Sequence, residues 1–282
     1  MKLAVIGDPV EHSASPEFFR GFFDEAGVAG SYDAIRVEAG SGARTIAALR
    51  ADGYRGLNVT TPLKEEALAA CNRVVDLEAI AVASANVLLF QEDGIHGFNT
   101  DTTGALQAVA EVMGLEDLRE DIEAAEGSAG VAALVSERAR EDLSGLRVLV
   151  LGVGPTARAV IWKLDQYGAN ISVWNRTIDR ARVTAQRYKV SLWDGETVDV
   201  VFSTLPPDGE LGGRIADVAR AAPALIDANY GPRSTIGAQL GRNVTDGTSM
   251  LRSSARESFR LFSTPRSERF ESGVTRARLV WG

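Results

Sequence analysis

Two positions carry side chains suited to moving a proton. Lys64 ends the stretch Asn58-Val59-Thr60-Thr61-Pro62-Leu63-Lys64, and Asp101 ends Gly97-Phe98-Asn99-Thr100-Asp101. Singly, the lysine reads as a solvated surface charge and the aspartate as an N-cap for the next helix. Together they read differently, because both follow extended segments, where α/β folds gather the groups that meet a ligand. An ammonium can carry a proton if a closed environment draws its pKa from about 10.4 toward neutrality. A nearby carboxylate orients it and couples to its titration. Further polar groups lie at strand ends. Ser13 and Ser15, in His12-Ser13-Ala14-Ser15-Pro16, either cap a helix or hold a carboxylate at its N-terminus, and Ser84-Ala85-Asn86 adds an amide.

A second constellation is suited to phosphate. Gly152-Val153-Gly154-Pro155-Thr156-Ala157 fits G-x-G-x-x-A between a strand and a helix. Gly152 permits the tight turn, Gly154 lets the backbone approach a pyrophosphate, and Ala157 lets helix and strand pack closely. The helix N-terminus then supplies N–H donors and a positive end, less the donor that Pro155 lacks. The competing reading is a tight strand-to-helix turn with no ligand. The next strand ends in Trp174-Asn175-Arg176-Thr177, with Arg180 a helical turn further on. NAD sites place an acid at this point and NADP sites an arginine. Two guanidiniums and a hydroxyl suit a 2′-phosphate, so the cofactor expected is NADP.

The elements that must position these groups follow from hydrophobic spacing. Lys2–Ile6 reads as a buried strand. Glu17–Ala26 has helical spacing, with Phe18, Phe19, Phe22 and Phe23 on one side, Pro16 at its start and Gly27 past its end. Tyr32–Val37 reads as a strand, Thr45–Arg50 as a short helix and Leu57–Thr60 as a strand. Pro62 is expected to open a helix through about Cys71. Asn86–Phe90 and Ile95–Phe98 pair around Glu92-Asp93-Gly94. A helix is expected from near Thr102 to Met113. Glu116–Glu126, with six acids and one base, reads as a solvated helical insertion or else as a lid or partner surface; Gly127–Gly130 interrupts it before a helix at Val131–Asp142. From Arg147 short apolar runs alternate with helices: strands at 147–151, Ile171–Trp174, Asp199–Phe202 and Ala224–Asp227, helices at Thr156–Tyr167 and Asp179–Arg187. This pattern indicates parallel strand–helix–strand units. The tail, Arg252–Arg278, reads as a basic helix.

Composition bounds the function. The chain has 282 residues, which favours two domains, and a formal charge of -8, which disfavours general nucleic-acid binding. Hydrophobic residues make up 45%, enough for real cores. No apolar run approaches the length of a membrane span, and the start reads as a first strand rather than a signal peptide. The single cysteine, Cys71, fits a reducing cytoplasm, and two histidines with one cysteine disfavour a His- or Cys-rich metal site, so no metal is expected.

Taken in order, these segments resemble the shikimate dehydrogenase family. The matching positions are Gly7-Asp8-Pro9 with His12 to Pro16, Asn58-Val59-Thr60 with Pro62 and Lys64, Ala85-Asn86, and Gly97 with Asn99-Thr100-Asp101. They continue with 152–157, Asn175-Arg176-Thr177, Tyr230 with Pro232, and Met250-Leu251 before Ser258-Phe259. The resemblance covers nearly the whole chain except about 115–143. It implies an α/β fold with a substrate domain (1–104 plus about 250–282) and a Rossmann NADP-binding domain (105–249) carrying the insertion. A C-terminal helix would return to the first domain, and the active site would lie between the two.

The implied reaction is reversible, NADP-dependent reduction of 3-dehydroshikimate to shikimate, in aromatic amino acid and chorismate biosynthesis, by a cytoplasmic monomer or homodimer. Lys64 and Asp101 would be the catalytic pair. Ser13 and Ser15 would bind the substrate carboxylate, and Thr60, Asn86 and Tyr230 would line the pocket, supported by Asn58. The cofactor set would be Gly152, Val153, Gly154, Pro155, Thr156, Ala157, Asn175, Arg176, Thr177, Arg180, Thr204 and Leu205. Four positions depart from the family pattern. Ser254 stands where a glutamine usually reaches a substrate hydroxyl, Phe19-Arg20 replaces His-Asn, and Val87 replaces a threonine after Asn86. Quinate or an amino analogue of shikimate are therefore alternative substrates. A non-catalytic sensor of the metabolite or NADP and a reductase of an unrelated carbonyl are alternative functions.

Overall fold

The structure is a computed structural model and describes residues 1–73, 75–124 and 129–264. The chain divides into two compact units, Met1–Thr100 with the segment from Ser254 onward, and Asp101–Ser253.

The first unit holds β1 (Lys2–Gly7), α1 (Ser15–Ala26), β2 (Ser31–Arg36), α2 (Gly42–Ala51), β3 (Gly56–Val59), α3 (Lys64–Ala70), α4 (Leu77–Val82), β4 (Val87–Gln91) and β5 (Gly94–Phe98). Its sheet runs β2-β1-β3-β4-β5. β1 pairs in parallel with β2 and β3, whereas β4 is antiparallel to both β3 and β5. Strand side chains alternate faces, and both faces are covered. Ala4, Ile6, Leu57, Val59, Leu88 and Phe90 face Ile46, Leu63 and Ala67. Leu3, Val87, Leu89 and Phe98 face Phe19, Phe22 and Phe23 of α1, with Ala255 and Phe262. The phenylalanine spacing thus marks the buried face of α1. Gly27 ends α1 in the left-handed conformation, φ 63°, where glycine has no Cβ penalty. Pro62 does not open the third helix as expected. Leu63 N–H donates to Thr60 O at 2.9 Å, so Thr60 to Leu63 form a turn and α3 starts at Lys64.

The second unit holds α5 (Asp101–Val112), α6 (Glu116–Ala124), α7 (Ala129–Leu143), β6 (Arg147–Leu151), α8 (Pro155–Asp165), β7 (Asn170–Trp174), α9 (Ile178–Tyr188), β8 (Ser191–Leu192), β9 (Val200–Ser203), α10 (Gly213–Ala221), β10 (Ala224–Asp227) and α11 (Ile236–Leu240). The boundary at Ser254 falls within the last described helix, α12 (Thr248–Ser263). The sheet order is β10-β9-β6-β7-β8, and every pairing is parallel, as the strand–helix alternation requires. Val148 and Val150 join a core with α5 and α8, and Leu149 and Leu151 join one with α10 and α11.

The acidic segment is more than a solvated insertion. Leu118, Ile122, Val135, Ala139 and Leu143 enter the second unit's core. Arg138 ties α7 to α6 through Asp121 at 2.6 Å and Asp117 at 3.2 Å. Residues 127 and 128 of the expected break lie outside the described residues, and Ala129 already belongs to α7. The tail expectation beyond Thr264 also lies outside them. No helix among the described residues is long and apolar enough to cross a membrane.

Candidate active site

In the first unit the polar groups collect at one end of the sheet. Glycine is required at the end of β1, because a Cβ on Gly7 would overlap the Thr60 side chain. Thr60 N–H donates to Ile6 O at 2.9 Å, which fixes the β3 end beside β1. Lys64 follows as the first residue of α3. Its carbonyl accepts Ala85 N–H at 2.9 Å, so its backbone is pinned next to Asn86. Lys64 is only 7% exposed, which rules out a simple solvated surface cation. Ser15 is buried at the start of α1, and its N–H donates to Ser13 Oγ at 3.2 Å, a local turn contact; the N-cap is Ala14, with no side-chain cap.

Asn86 sits just before β4 within a buried cluster of amides and hydroxyls. Its Oδ1 accepts Thr100 N–H at 2.8 Å, and its Nδ2 lies 3.1 Å from Thr100 Oγ1 and 3.3 Å from Ser254 Oγ. Thr100 Oγ1 lies 2.9 Å from Ser254 Oγ and 3.1 Å from Ser258 Oγ. Asn58 Nδ2 donates to Ser258 Oγ at 2.9 Å, and Tyr32 donates to Asn58 Oδ1 at 2.9 Å. The structure therefore brings Asn58, Asn86 and Ser254 into one connected network. Nearby in the chain, Asn99 Nδ2 donates to Ser84 O at 2.8 Å.

In the second unit Asp101 opens α5 and is 8% exposed. The glycine turn has the backbone its chemistry needs. Gly152 has φ 103°, and a Cβ there would stand 2.5 Å from Thr204 Oγ1. Thr204 in turn donates to Leu151 O at 2.9 Å. Gly154 is the N-cap of α8 with no side-chain cap, and the space over its Cα is open. Ala157, in the first turn of α8, is fully buried. Val153 is buried, and Pro155 and Thr156 form the first turn of α8. This is a helix start whose N-cap makes no side-chain hydrogen bond, suited to an anion.

At the end of β7, Arg176, Thr177 and Arg180 are exposed, while Asn175 folds back to donate to Thr177 O at 3.1 Å. The neighbouring acid is diverted, since Asp179 pairs with Arg182 at 2.8 Å. The local charge left at the strand end is therefore positive. Leu205 follows β9, and its carbonyl accepts Asn229 Nδ2 at 2.8 Å. Asp227, buried at the end of β10, accepts Asn229 N–H at 3.0 Å, Asn229 Nδ2 at 2.9 Å and Ser234 Oγ at 3.0 Å. Burial pushes its carboxyl above the usual range despite these bonds. Tyr230, half-buried, rides on this braced loop; the following N–H, of Gly231, donates to Asp246 at 3.1 Å.

Residues 5–88 match the family of the shikimate dehydrogenase substrate binding domain. A shikimate dehydrogenase (NADP(+)) from Methanococcoides burtonii is 30% identical, with 92% of this chain and 91% of that protein covered. One from Afipia carboxidovorans is 34% identical over 92% and 89%. The chain belongs to the shikimate dehydrogenase family. The family fold is seen directly in shikimate 5-dehydrogenase from Thermus thermophilus, solved in complex with NADP(H) and shikimate. That protein is 27% identical, with TM-score 0.73 and coverage of 96% of this chain and 98% of its own.

Within this family framework, reading residues one by one passes over several members of the cluster. Thr100 is visible only as the neighbour of Asp101, and Ser258 only as a motif residue. Their i, i+4 spacing makes Ser254 and Ser258 neighbours on one helix face, a signal available in the sequence. Tyr32 and the Asp227–Asn229–Ser234 brace have no such signal.

Proposed function

We propose that this chain catalyses the reversible NADP-dependent interconversion of 3-dehydroshikimate and shikimate, as its named relatives do. The observation that carries the reading is the burial of Lys64 at the start of α3, with its backbone tied to the segment holding Asn86. A buried ammonium is costly unless it has a task or a partner.

In this reading Lys64 Nζ takes the proton of the reacting hydroxyl during oxidation and returns it during reduction. The Asp101 carboxylate orients that ammonium. Ser13 and Ser15 hold the ring carboxylate at the start of α1, while Thr60, Asn86 and Tyr230 line the pocket around the ring, supported by Asn58. NADP supplies the hydride chemistry when bound. The residues present suit it. The start of α8, whose N-cap makes no side-chain hydrogen bond, and the open Gly154 fit a pyrophosphate, and Arg176 with Arg180 fit a 2′-phosphate. Val153, Thr204 and Leu205 flank the same strand ends. The expected cytoplasmic setting and monomer or homodimer state go with this reading.

Ser254 bears on the choice of substrate. It is buried and engaged by Thr100 and Asn86, and it is shorter than the usual glutamine. The test is a panel of shikimate, quinate and an amino analogue with NADP+ and with NAD+, followed by formation of the reduced cofactor. The expected result is turnover of shikimate with NADP+. Ligand-induced thermal stabilisation without turnover of any acid would replace this reading with the sensor.

A further inference from the structure

We propose that Ser258 is a positioning residue for substrate binding, acting through Thr100 to hold the amide nitrogen of Asn86 in place. The proposal rests on the substrate role given to Asn86 above.

The number of protons available decides the geometry. Ser258 is fully buried, so every hydrogen bond it makes must come from the protein. A serine hydroxyl has one proton to give and two lone pairs. Ser258 Oγ donates to Ser254 O at 2.8 Å, one turn earlier in α12. Its proton is thereby used, and it can only accept from its other neighbours. Asn58 Nδ2 takes one lone pair at 2.9 Å, and the Thr100 hydroxyl takes the other at 3.1 Å.

That fixes the next link. With its proton directed to Ser258, Thr100 Oγ1 can only accept, and it does so from Ser254 Oγ at 2.9 Å and Asn86 Nδ2 at 3.1 Å. The Asn86 amide must therefore point its NH2 at the hydroxyls. Its oxygen takes the backbone N–H of Thr100 at 2.8 Å, which agrees with that direction. At the other end, Asn58 gives its NH2 to Ser258 and its oxygen to Tyr32 at 2.9 Å. One hydroxyl on α12 thus sets the sense of the Asn58 amide and makes Thr100 Oγ1 an acceptor for Asn86 Nδ2, while the Asn86 oxygen is held by Thr100 N–H.

Loss of the Ser258 oxygen would undo this. The Thr100 proton would have Ser254 Oγ at 2.9 Å and Asn86 Oδ1 at 3.4 Å as remaining acceptors. Thr100 Oγ1 would then no longer be held as an acceptor for Asn86 Nδ2, and the amide, still tied at its oxygen to Thr100 N–H, would be held less firmly at its nitrogen. Substrate binding suffers, while the cofactor site, built from other residues, does not.

The experiment compares wild type with Ser258→Ala, Asn86→Ala and the double variant. Ser258→Ala is expected to raise KM for shikimate about tenfold, with kcat and the Kd for NADP+ nearly unchanged, the pattern of lost uniform binding. In the Asn86→Ala background the same substitution adds little, because the residue acts through Asn86. A purely structural role would give additive effects and move the NADP+ affinity too; that result, or an unchanged KM, overturns the proposal.

A readout without turnover separates this from the function itself. The Asn86 side-chain amide signals, identified by their loss in Asn86→Asp, should shift and exchange faster with solvent in Ser258→Ala. If wild type oxidises no acid yet these signals move, the catalytic reading fails and the positioning of Asn86 stands. Should Ser258→Ala not fold, Tyr32→Phe, which keeps the ring stacked on Phe19 at 4.0 Å, removes only the outer hydroxyl and should raise the same KM. Unmoved amide signals and an unmoved KM in a folded variant refute the proposal.

Discussion

Gly152→Ala tests the cofactor turn at the point where the backbone is most constrained. Gly152 has φ 103°, where an L side chain is strained, and its Cβ would stand 2.5 Å from Thr204 Oγ1. Left-handed backbone costs roughly 1–2 kcal/mol for a residue with a Cβ. Thr204 must also swing away and forfeit its 2.9 Å bond to Leu151 O, worth about 1 kcal/mol. The sum, about 2–3 kcal/mol, corresponds to a Tm lower by roughly 4–12 °C for a chain of this size. The same shift moves the N–H groups at the start of α8, so the Kd for NADP+ should rise about tenfold or more. Gly154→Ala is the control. Nothing lies within 4 Å of its Cβ position, so Tm should hold while NADP+ affinity falls, because the methyl occupies the approach of the pyrophosphate. Scanning calorimetry and a fluorescence titration measure both quantities. An unchanged Tm in Gly152→Ala, or an unchanged Kd in both variants, would refute the assignment of this turn.

Replacing Arg176 and Arg180 together by glutamine should weaken NADP+ binding about 10- to 100-fold and leave NAD+ binding nearly unchanged, since only the former carries the 2′-phosphate; equal losses for both cofactors in a titration would count against these cations. Ser254→Gln should shift the ratio of shikimate to quinate turnover, because the longer amide displaces the contacts with Thr100 and Asn86; an unchanged ratio would remove Ser254 from substrate choice. Arg147, by hydrogen bonding at 2.7 Å, holds the Asp199 carboxyl below its ordinary 3.8. A depressed carboxyl stabilises above its unfolded pKa and loses that contribution as pH falls through the folded value. Asp199→Asn should therefore lower stability by at most about 1 kcal/mol at neutral pH, as for a partly exposed pair, and the difference from wild type should vanish in acid. A gap in denaturation midpoint that persisted below that range would contradict this.

Much of the fold was legible because local chemistry and tertiary packing agree. Pro16 and Gly27 punctuate α1, the phenylalanines mark its buried face, and strand–helix alternation after Arg147 forces a parallel sheet. The failures have local causes. Pro62 suggested a helix start, but the Thr60 carbonyl captures Leu63 N–H and delays it to Lys64. The acids of α6 masked Leu118 and Ile122, four residues apart and facing the core. α10 is preceded by Leu205-Pro206-Pro207 and two glycines, which read as loop, and α4 is only 6 residues long. Of the candidate site, the strand-end residues could be found from spacing. The amide–hydroxyl network could not, because Asn58 and Ser258 meet across 200 positions of sequence and neither carries a periodic signal of that contact.

Proton transfer by Lys64 is the step on which the proposed function depends. The most direct measurement is the rate of NADPH formation from shikimate and NADP+ by wild type and by Lys64→Ala, with NADP+ affinity determined on both. The expected result is turnover by wild type and a loss of at least ~100-fold in kcat in the variant, the low end for general acid–base catalysis, at unchanged cofactor affinity. Near-normal turnover in Lys64→Ala would contradict it.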